Sequence, residues 1–435
     1  MTDPAEVRAA SPRALPLILQ AIGLGLFAGL FGVVYLVAVG AVTELMWGDE
    51  PVTTGWFSGD IAVVVIPIVF GLVVGLIYRV FKLPPRFPSF IEDLQEGVVE
   101  PKTAPGVLGI AFLSLISGPS LGPEGPMATA GGAAGTWLAR RKGMGREGVS
   151  RLTFVGVSGA FGGLLSTPIG GPLLAFELEH DQTNSYYYLN IVPGVIAGAV
   201  SFGIMYPVLG APFLGLLSMP PVEFGSWMLI AAVGLGCVGA LVALVVGKVL
   251  LVSVQLFKPL DCRPLIRGLV GGGLVALLGF IMPLTLFSGQ TTLPVVLDEW
   301  QLVGVVSLLA LALLKTVALG ISLGSGFYGG PIFPMFFIGG TVGVAIHALI
   351  PDIPLGLAVG ATMAALGAAV ALLPLSMAVI TAIMIQSGLE AFGAVALASI
   401  TAYAIRLAVS QSRKGDLQKS AEAPPGEFVA GGPNS

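Results

Sequence analysis

Apolar stretches recur along nearly the whole chain, at 15–46, 59–82, 104–121, 124–140, 148–165, 168–179, 188–209, 226–257, 264–285, 301–320, 333–350, 354–372, 374–388 and 391–410. Several run to only about 12 to 18 residues, fewer than the roughly 20 that a full crossing of a bilayer needs, so short, tilted or re-entrant helices are expected beside full spans. Polar residues concentrate at the ends, which divides the chain into an N-terminal segment (1–14), two membrane halves (15–210 and 211–410) and a tail (411–435). The tail contains KGDLQKSAEAPPGE and is polar enough to be expected disordered. The first apolar run is too long for the core of a signal peptide and shows no small-residue cleavage site, so it reads as a retained span. Arg8 and Arg13 precede that span, and Arg406, Arg413, Lys414 and Lys419 follow the last one. The positive-inside rule then places both ends in the cytoplasm.

The two halves repeat each other. Residues 122–135 read GPEGPMATAGGAAG and residues 330–343 read GPIFPMFFIGGTVG, sharing GPxxPMxxxGGxxG at an offset of 208 residues (122 to 330). Weaker echoes lie at nearly the same distance: AIGLG at 21–25 against AVGLG at 232–236, Val155-Gly156 against Val359-Gly360, and Pro168 against Pro374. Two halves that each carry a proline- and glycine-interrupted helix at the equivalent position point to a transporter built from repeats, with its site where the repeats meet.

The interruption in the first half carries an acid, Glu124, in an otherwise uncharged membrane segment from Ser117 to Gly135. A carboxylate at the centre of a membrane helix costs at least ~2.5 kcal/mol, so it is expected to face a cavity, a partner or a pathway. Pro126 and Pro334 suit the first turn of a helix, where a missing N–H is no loss. Gly122, Gly125, Gly329 and Gly330 allow close approach of the backbone and positive φ. If both helices start in mid-membrane, their free N–H groups and positive dipole ends face one centre and form an anion site without a buried full charge. Partial charges of that kind bind weakly enough to release the ion. Glu124 then competes with the anion as a tethered carboxylate, and its protonation opens the site; the blander alternative is a carboxylate that caps its own helix.

Composition narrows the class. Of 435 residues 55% are hydrophobic and only 10% charged, too little polar surface for a soluble globule. A net charge of -4, with no basic block longer than Arg140 to Lys142, argues against a nucleic-acid partner. Cys237 and Cys262 sit in or beside apolar runs and read as small core residues. No cluster of His, Cys and acids has metal-ligand spacing, and no cofactor motif stands out. Gly156-Val157-Ser158-Gly159 spells the GxSG of an intramembrane serine protease, but that chemistry needs a histidine within reach, and only His180 and His347 exist. Ser158 is expected to be a packing position. A membrane protein of assembly without transport is the third class, and it predicts no path to Glu124. Lys315 is expected to snorkel or to pair with an acid, and Glu92, Asp93 and Glu96 to lie on a solvated face.

At these residues the chain resembles the CLC family of chloride channels and proton-coupled anion antiporters. GPEGP at 122–126 is similar to the family's GREGP segment, with Glu124 at the gating glutamate. GSGFYGGPIFP at 324–334, with Lys315 before it, resembles GSGxxGGxFxP, and STPIGGPLLAFELE at 166–179 resembles NAPLAGxLFxxEE. The resemblance covers roughly 15 to 410. It implies an all-α fold of two inverted-topology repeats with short, tilted and re-entrant helices, in a homodimer with one pore per subunit in a bacterial inner membrane. It also implies transport of a small anion such as chloride, with protons as a second partner. The anion is expected at the backbone around Gly122, Gly125, Pro126, Gly330, Ile332 and Phe333, gated by Glu124. Departures from the pattern are local. LPPRFPS at 83–89 stands where the family has GSGIP, with only Phe87-Pro88 matching its end and Ser89 beyond it. Tyr403 lies too early for the family's pore tyrosine. Glu177 takes the first position of the paired acids and Leu178 the second, so a proton path through Glu177 relies on Glu179, about 100° further round the helix.

Overall fold

A computed structural model describes residues 14–48, 61–178, 187–210, 216–217, 219–223, 225–386 and 388–422. Among them helix dominates, and the one bridge of β type joins Gly122 to Gly330. The first half contains α1 (Ala14–Trp47), α2 (Ala62–Val80), α3 (Phe90–Glu96), α4 (Ala104–Ile116), α5 (Glu124–Arg141), α6 (Arg146–Leu164), α7 (Gly170–Leu178) and, after a π turn, α8 (Val192–Leu209). The second contains α9 (Trp227–Phe257), α10 (Pro264–Ile281), a 3-10 turn (Pro283–Thr285), α11 (Leu293–Gly324), α12 (Ile332–Leu349), α13 (Leu355–Ala371), α14 (Pro374–Ile385) and α15 (Leu389–Glu422). Among the described residues eight helices are long and apolar enough to cross a membrane by length and composition, and α4, α13 and α14 are apolar but shorter. Full spans and partial ones thus coexist, as the uneven run lengths predict.

Packing repeats as the sequence does. α1 packs on α6 and α8, and α9 on α13 and α15; α5 packs on α6, and α12 on α13. Contacts between the halves join an element to its own counterpart: α2 to α10, and α7 to α14. That is the arrangement expected about a twofold axis relating the halves. The α2–α10 contact shows why glycine is needed there. Pro67, Gly71 and Gly75 on α2 match Pro264, Gly268 and Gly272 on α10, a PxxxGxxxG spacing that the reading of 122–135 and 330–343 passes over. A Cβ on Gly71 meets the carbonyl of Gly268 and one on Gly268 meets the carbonyl of Gly71, while Gly75 faces Pro264 and Gly272 faces Pro67 in the same reciprocal way. With no hydrophobic drive between helices in lipid, such backbone contact is what holds them.

Four expectations change. Helix 104–121 stops at Ile116, because Gly118 takes a φ of 99° and Pro119 and Pro123 follow. The segment placed at 301–320 begins at Leu293 and bends at Gly304, whose φ of 75° no helix accepts. The tail placed at 411–435 is helical as far as Glu422, since α15 runs on through Leu, Gln, Lys, Ala and Glu, all strong helix formers. Cys237 and Cys262 are free and exposed, not packed in a core. Enlarging Gly268 to leucine is expected to cost about 1–3 kcal/mol or to abolish the fold, read as a lower unfolding temperature in detergent. Gly273→Ala, which meets no atom within 4 Å, leaves that temperature unchanged or raises it.

Candidate anion site at the repeat axis

The two interrupted segments meet face to face. Gly122 N–H donates to the Gly330 carbonyl and Gly330 N–H to the Gly122 carbonyl, both at 2.8 Å. One turn upstream the exchange continues. Ser114 Oγ accepts from Tyr328 N–H and Ser322 Oγ accepts from Ser120 N–H, each at 3.0 Å. Every pair keeps the 208-residue offset, and so do Gly118 and Gly326, with φ of 99° and 98°. The shared pattern therefore extends to SLxSGxxxGPxxP, 114–126 against 322–334. Positive φ falls on Gly118 and Gly326, whereas Gly122, Gly125, Gly329 and Gly330, to which it was assigned, serve close approach: Gly125 abuts the backbone of Gly329 and Gly330.

α5 and α12 both start at this centre, with Pro123 and Pro331 at their N-caps and Pro126 and Pro334 in their first turns. The site residues Gly122, Gly125, Pro126, Gly330, Ile332 and Phe333 are thus brought together, although Pro126 has no N–H to offer an anion. Glu124, fully buried, reaches across to the opposite helix. Its Oε1 accepts from the N–H groups of Ile332, at 2.6 Å, and Phe333, at 3.2 Å. Two amides at a helix start carry the positive end of its dipole, so the carboxylate sits where an anion would be held. Its Oε2 has no hydrogen-bond partner among the described residues, and the carboxyl group lies against Gly122 and Gly330, where any side chain would displace it. A small cavity of about 10 Å³ is lined by Gly289, Gln290, Phe333 and Phe337.

Other sequence-derived candidates are placed differently. Glu177 Oε1 accepts from Leu375 N–H and Oε2 from Ser376 N–H, both at 2.7 Å, and Ser376 Oγ–H adds a short bond to Oε2. It caps α14, the counterpart of its own helix. Glu179 lies outside the described residues, as does His180. Ser158 is fully buried on α6 beside Gly194, and its hydroxyl has no hydrogen-bond partner among the described residues. His347, the described histidine, bonds Ile353 O through Nδ1 at 2.8 Å. Among the described residues Ser158 has no histidine partner. Lys315 neither snorkels nor meets an acid: it is fully buried, and Nζ donates to the carbonyls of Leu286 at 2.7 Å, Phe287 at 2.8 Å and Leu284 at 3.3 Å, 4.8 Å from the Phe337 ring centre.

The departed first motif has an account as well. Ser89 caps α3, its Oγ accepting from Glu92 N–H at 3.3 Å while Glu92 Oε2 accepts from Ser89 N–H at 2.8 Å. Pro88, just before it, accepts from the Tyr328 hydroxyl at 3.4 Å, and that hydroxyl also meets Thr129 Oγ1 at 3.2 Å. Tyr328 was missed in the sequence, where only its glycine neighbours carried a motif. Glu92 and Glu96 are exposed as expected, but Asp93, outside the spans, is half-buried. Burial, with Glu96 and Glu92 adding repulsion, pushes its carboxyl up from 3.8 to about 7.

A family model described as voltage gated chloride channel matches residues 70–407. YfeO of Escherichia coli O139:H28, provisionally named an ion-transport protein, is 26% identical over 367 residues, spanning 81% of this chain and 84% of its own; YfeO of Shigella boydii serotype 18 matches equally. Among solved structures, a CLC-type fluoride/proton antiporter superposes with a TM-score of 0.75 at 19% identity, over 93% of this chain and 97% of its own. A slow cyanobacterial Cl-/H+ antiporter gives 0.74 at 20% identity, over 94% and 100%.

Two outcomes test this geometry. Gly330→Ala is expected to displace the Glu124 carboxyl and to speed hydrogen exchange at the Ile332 and Phe333 amides roughly tenfold or more, the loss of charge-assisted bonds, as read by mass spectrometry. Because the folded carboxyl of Asp93 titrates above its unfolded value, its favourable contribution is full in acid and is lost as pH rises through about 7. Thermal unfolding of Asp93→Asn should match wild type in acid and exceed it above neutrality. A helical membrane chain with a reciprocal pair of helix starts, matched by the family model over most of its length, belongs to the voltage-gated chloride channel family, and its fold is that of the CLC antiporters.

Proposed function

We propose that the chain transports a small anion, chloride or a similar halide, and that Glu124 is its protonatable gate. The observation that carries this reading is the Glu124 Oε1 bond to the Ile332 and Phe333 amides. Those donors are the ones a permeating halide uses, and they are taken by a side chain that can leave. An ionised carboxylate competes with the anion; on gaining a proton at the unpartnered Oε2 it loses its charge and the strong part of its bond to the amides. The anion then occupies the α12 start, and the carboxyl swings away. Reversal returns the proton to one side or the other, so anion and proton movement become linked.

The fluoride/proton and Cl-/H+ antiporters among the structural relatives support an ion of this class and a proton as its partner. Chloride is the working assignment, because backbone amides grade anions by size and hydration without a fixed cation. The protein acts as a homodimer in a bacterial inner membrane, with both termini on the cytoplasmic side, because Arg8 and Arg13 precede the first span and Arg406 and Arg413 follow the last in sequence. Proteoliposomes loaded with chloride provide the test. Wild type is expected to move protons when an anion gradient is imposed and to change its efflux with pH. Glu124→Gln should lose both responses while retaining anion efflux. Efflux and proton movement that are the same in the two proteins would falsify the gate.

A further inference from the structure

We infer that the cleft between α1, α4 and α5 binds one anionic glycerophospholipid, its acyl chain in the cleft and its phosphate on Arg141 and Lys102. The cleft has a volume of about 620 Å³, within the roughly 300–1,000 Å³ usual for sites that enclose a small molecule. Its walls are apolar throughout: Phe27 and Phe31 from α1, Pro105 and Leu108 from α4, and Ala130 and Ala134 from α5. Small residues make the hollow. Gly23 on α1, Ala104 on α4 and Ala130, Ala133 and Ala134 on α5 leave unfilled the volume that larger side chains would close. Along α5 the lining runs from Ala130 to Leu138, about 12 Å at 1.5 Å per residue. That is an elongated slot, open to the side, and its shape suits a hydrocarbon chain better than a compact solute.

One end of the slot is charged. Trp137 lines it and is half exposed, and the Arg141 guanidinium lies 5.1 Å from the centre of that ring. A tryptophan of this kind marks headgroup depth in a bilayer. Pro101 also lines that end, and the exposed Lys102 follows it. Arg140 is already committed, its Nη1 bonded to Glu100 Oε2 at 2.8 Å. The bond pairs Glu100 and ties the segment before α4 to the end of α5. Arg141, Lys102 and Lys142 are all exposed there. An apolar slot that ends in an indole, an arginine stacked on it and two lysines complements an acyl chain joined to a phosphate. A lone fatty acid would leave most of that charge unused, and a zwitterionic lipid would bring its own cation against it.

The site owes nothing to the gate. Glu124 lies at the other end of α5, so lipid binding and anion transport can fail separately. The test uses the full-length protein in mixed micelles, with quenching of Trp137 by brominated phosphatidylglycerol or brominated phosphatidylcholine, the Trp137→Phe protein giving the background. The expected result is saturable quenching at lower mole fraction for phosphatidylglycerol. Arg141→Gln and Lys102→Gln should each reduce that preference about fivefold, the usual worth of one basic residue at a lipid surface. Ala134→Phe, which fills the slot, should remove the saturable component and leave only bulk quenching. Equal quenching by the two lipids in wild type, or a preference untouched by the Arg141 and Lys102 variants, overturns the proposal. If Ala134→Phe does not give a single species in solution, the two surface variants decide the matter alone, since neither residue is packed in the core.

Discussion

The reciprocal amide exchange between Gly122 and Gly330 is the contact on which the rest of the molecule depends. Two chains that stop being helical in the middle of a membrane leave backbone groups that water cannot reach, and each such group costs several kcal/mol if unpaired. Here the two breaks satisfy each other: amide to carbonyl at the glycines, amide to hydroxyl at Ser114 and Ser322. Neither half can do this alone. The need for mutual satisfaction fixes the two helix starts side by side, and it explains why the halves touch elsewhere through like elements, α2 with α10 and α7 with α14.

The same economy governs three ionisable groups at depth. Glu124 is held by two amides, Glu177 by two amides and a hydroxyl, and Lys315 by three carbonyls. None of the three is held by a charge of opposite sign. Backbone dipoles stabilise an ion while keeping the region neutral, so a mobile ion meets no fixed counter-charge that would trap it. The carbonyls around Lys315 come from Leu284, Leu286 and Phe287, in the connection that leads to Gly289 beside Phe333. A buried cation thereby shapes a neutral wall next to the site.

Much of this was legible in the chain. Proline and glycine at 122–126 and 330–334 mark helix starts because few other residues tolerate those positions, and the meeting of the two starts follows from their repetition. An acid among them points to the site for a simple reason: its charge has no other excuse at that depth. The upstream serines, Tyr328 and the PxxxGxxxG pair were written just as plainly but carry no charge, and in a chain with 62 glycines such spacings look like ordinary packing until the contacts are seen. The partners of Lys315 and Glu177 were not legible at all. Both bind backbone atoms far along the sequence, and a backbone carbonyl or amide leaves no trace in the identity of the residue that supplies it. The helical course of 411–422 was misjudged because polarity says where a segment lies and not whether it coils.

Two adjacent positions break the twofold relation that their neighbours keep. Glu124 stands against Ile332, acid against alkane, and Gly125 against Phe333, while Gly122, Pro123 and Pro126 correspond to Gly330, Pro331 and Pro334. A centre with matching residues in both halves would present the same chemistry to either side of the membrane. With a single titratable arm, the carboxyl belongs to one half and the amides that hold it to the other, so the two sides of the centre differ chemically while the scaffold around them stays very nearly symmetric.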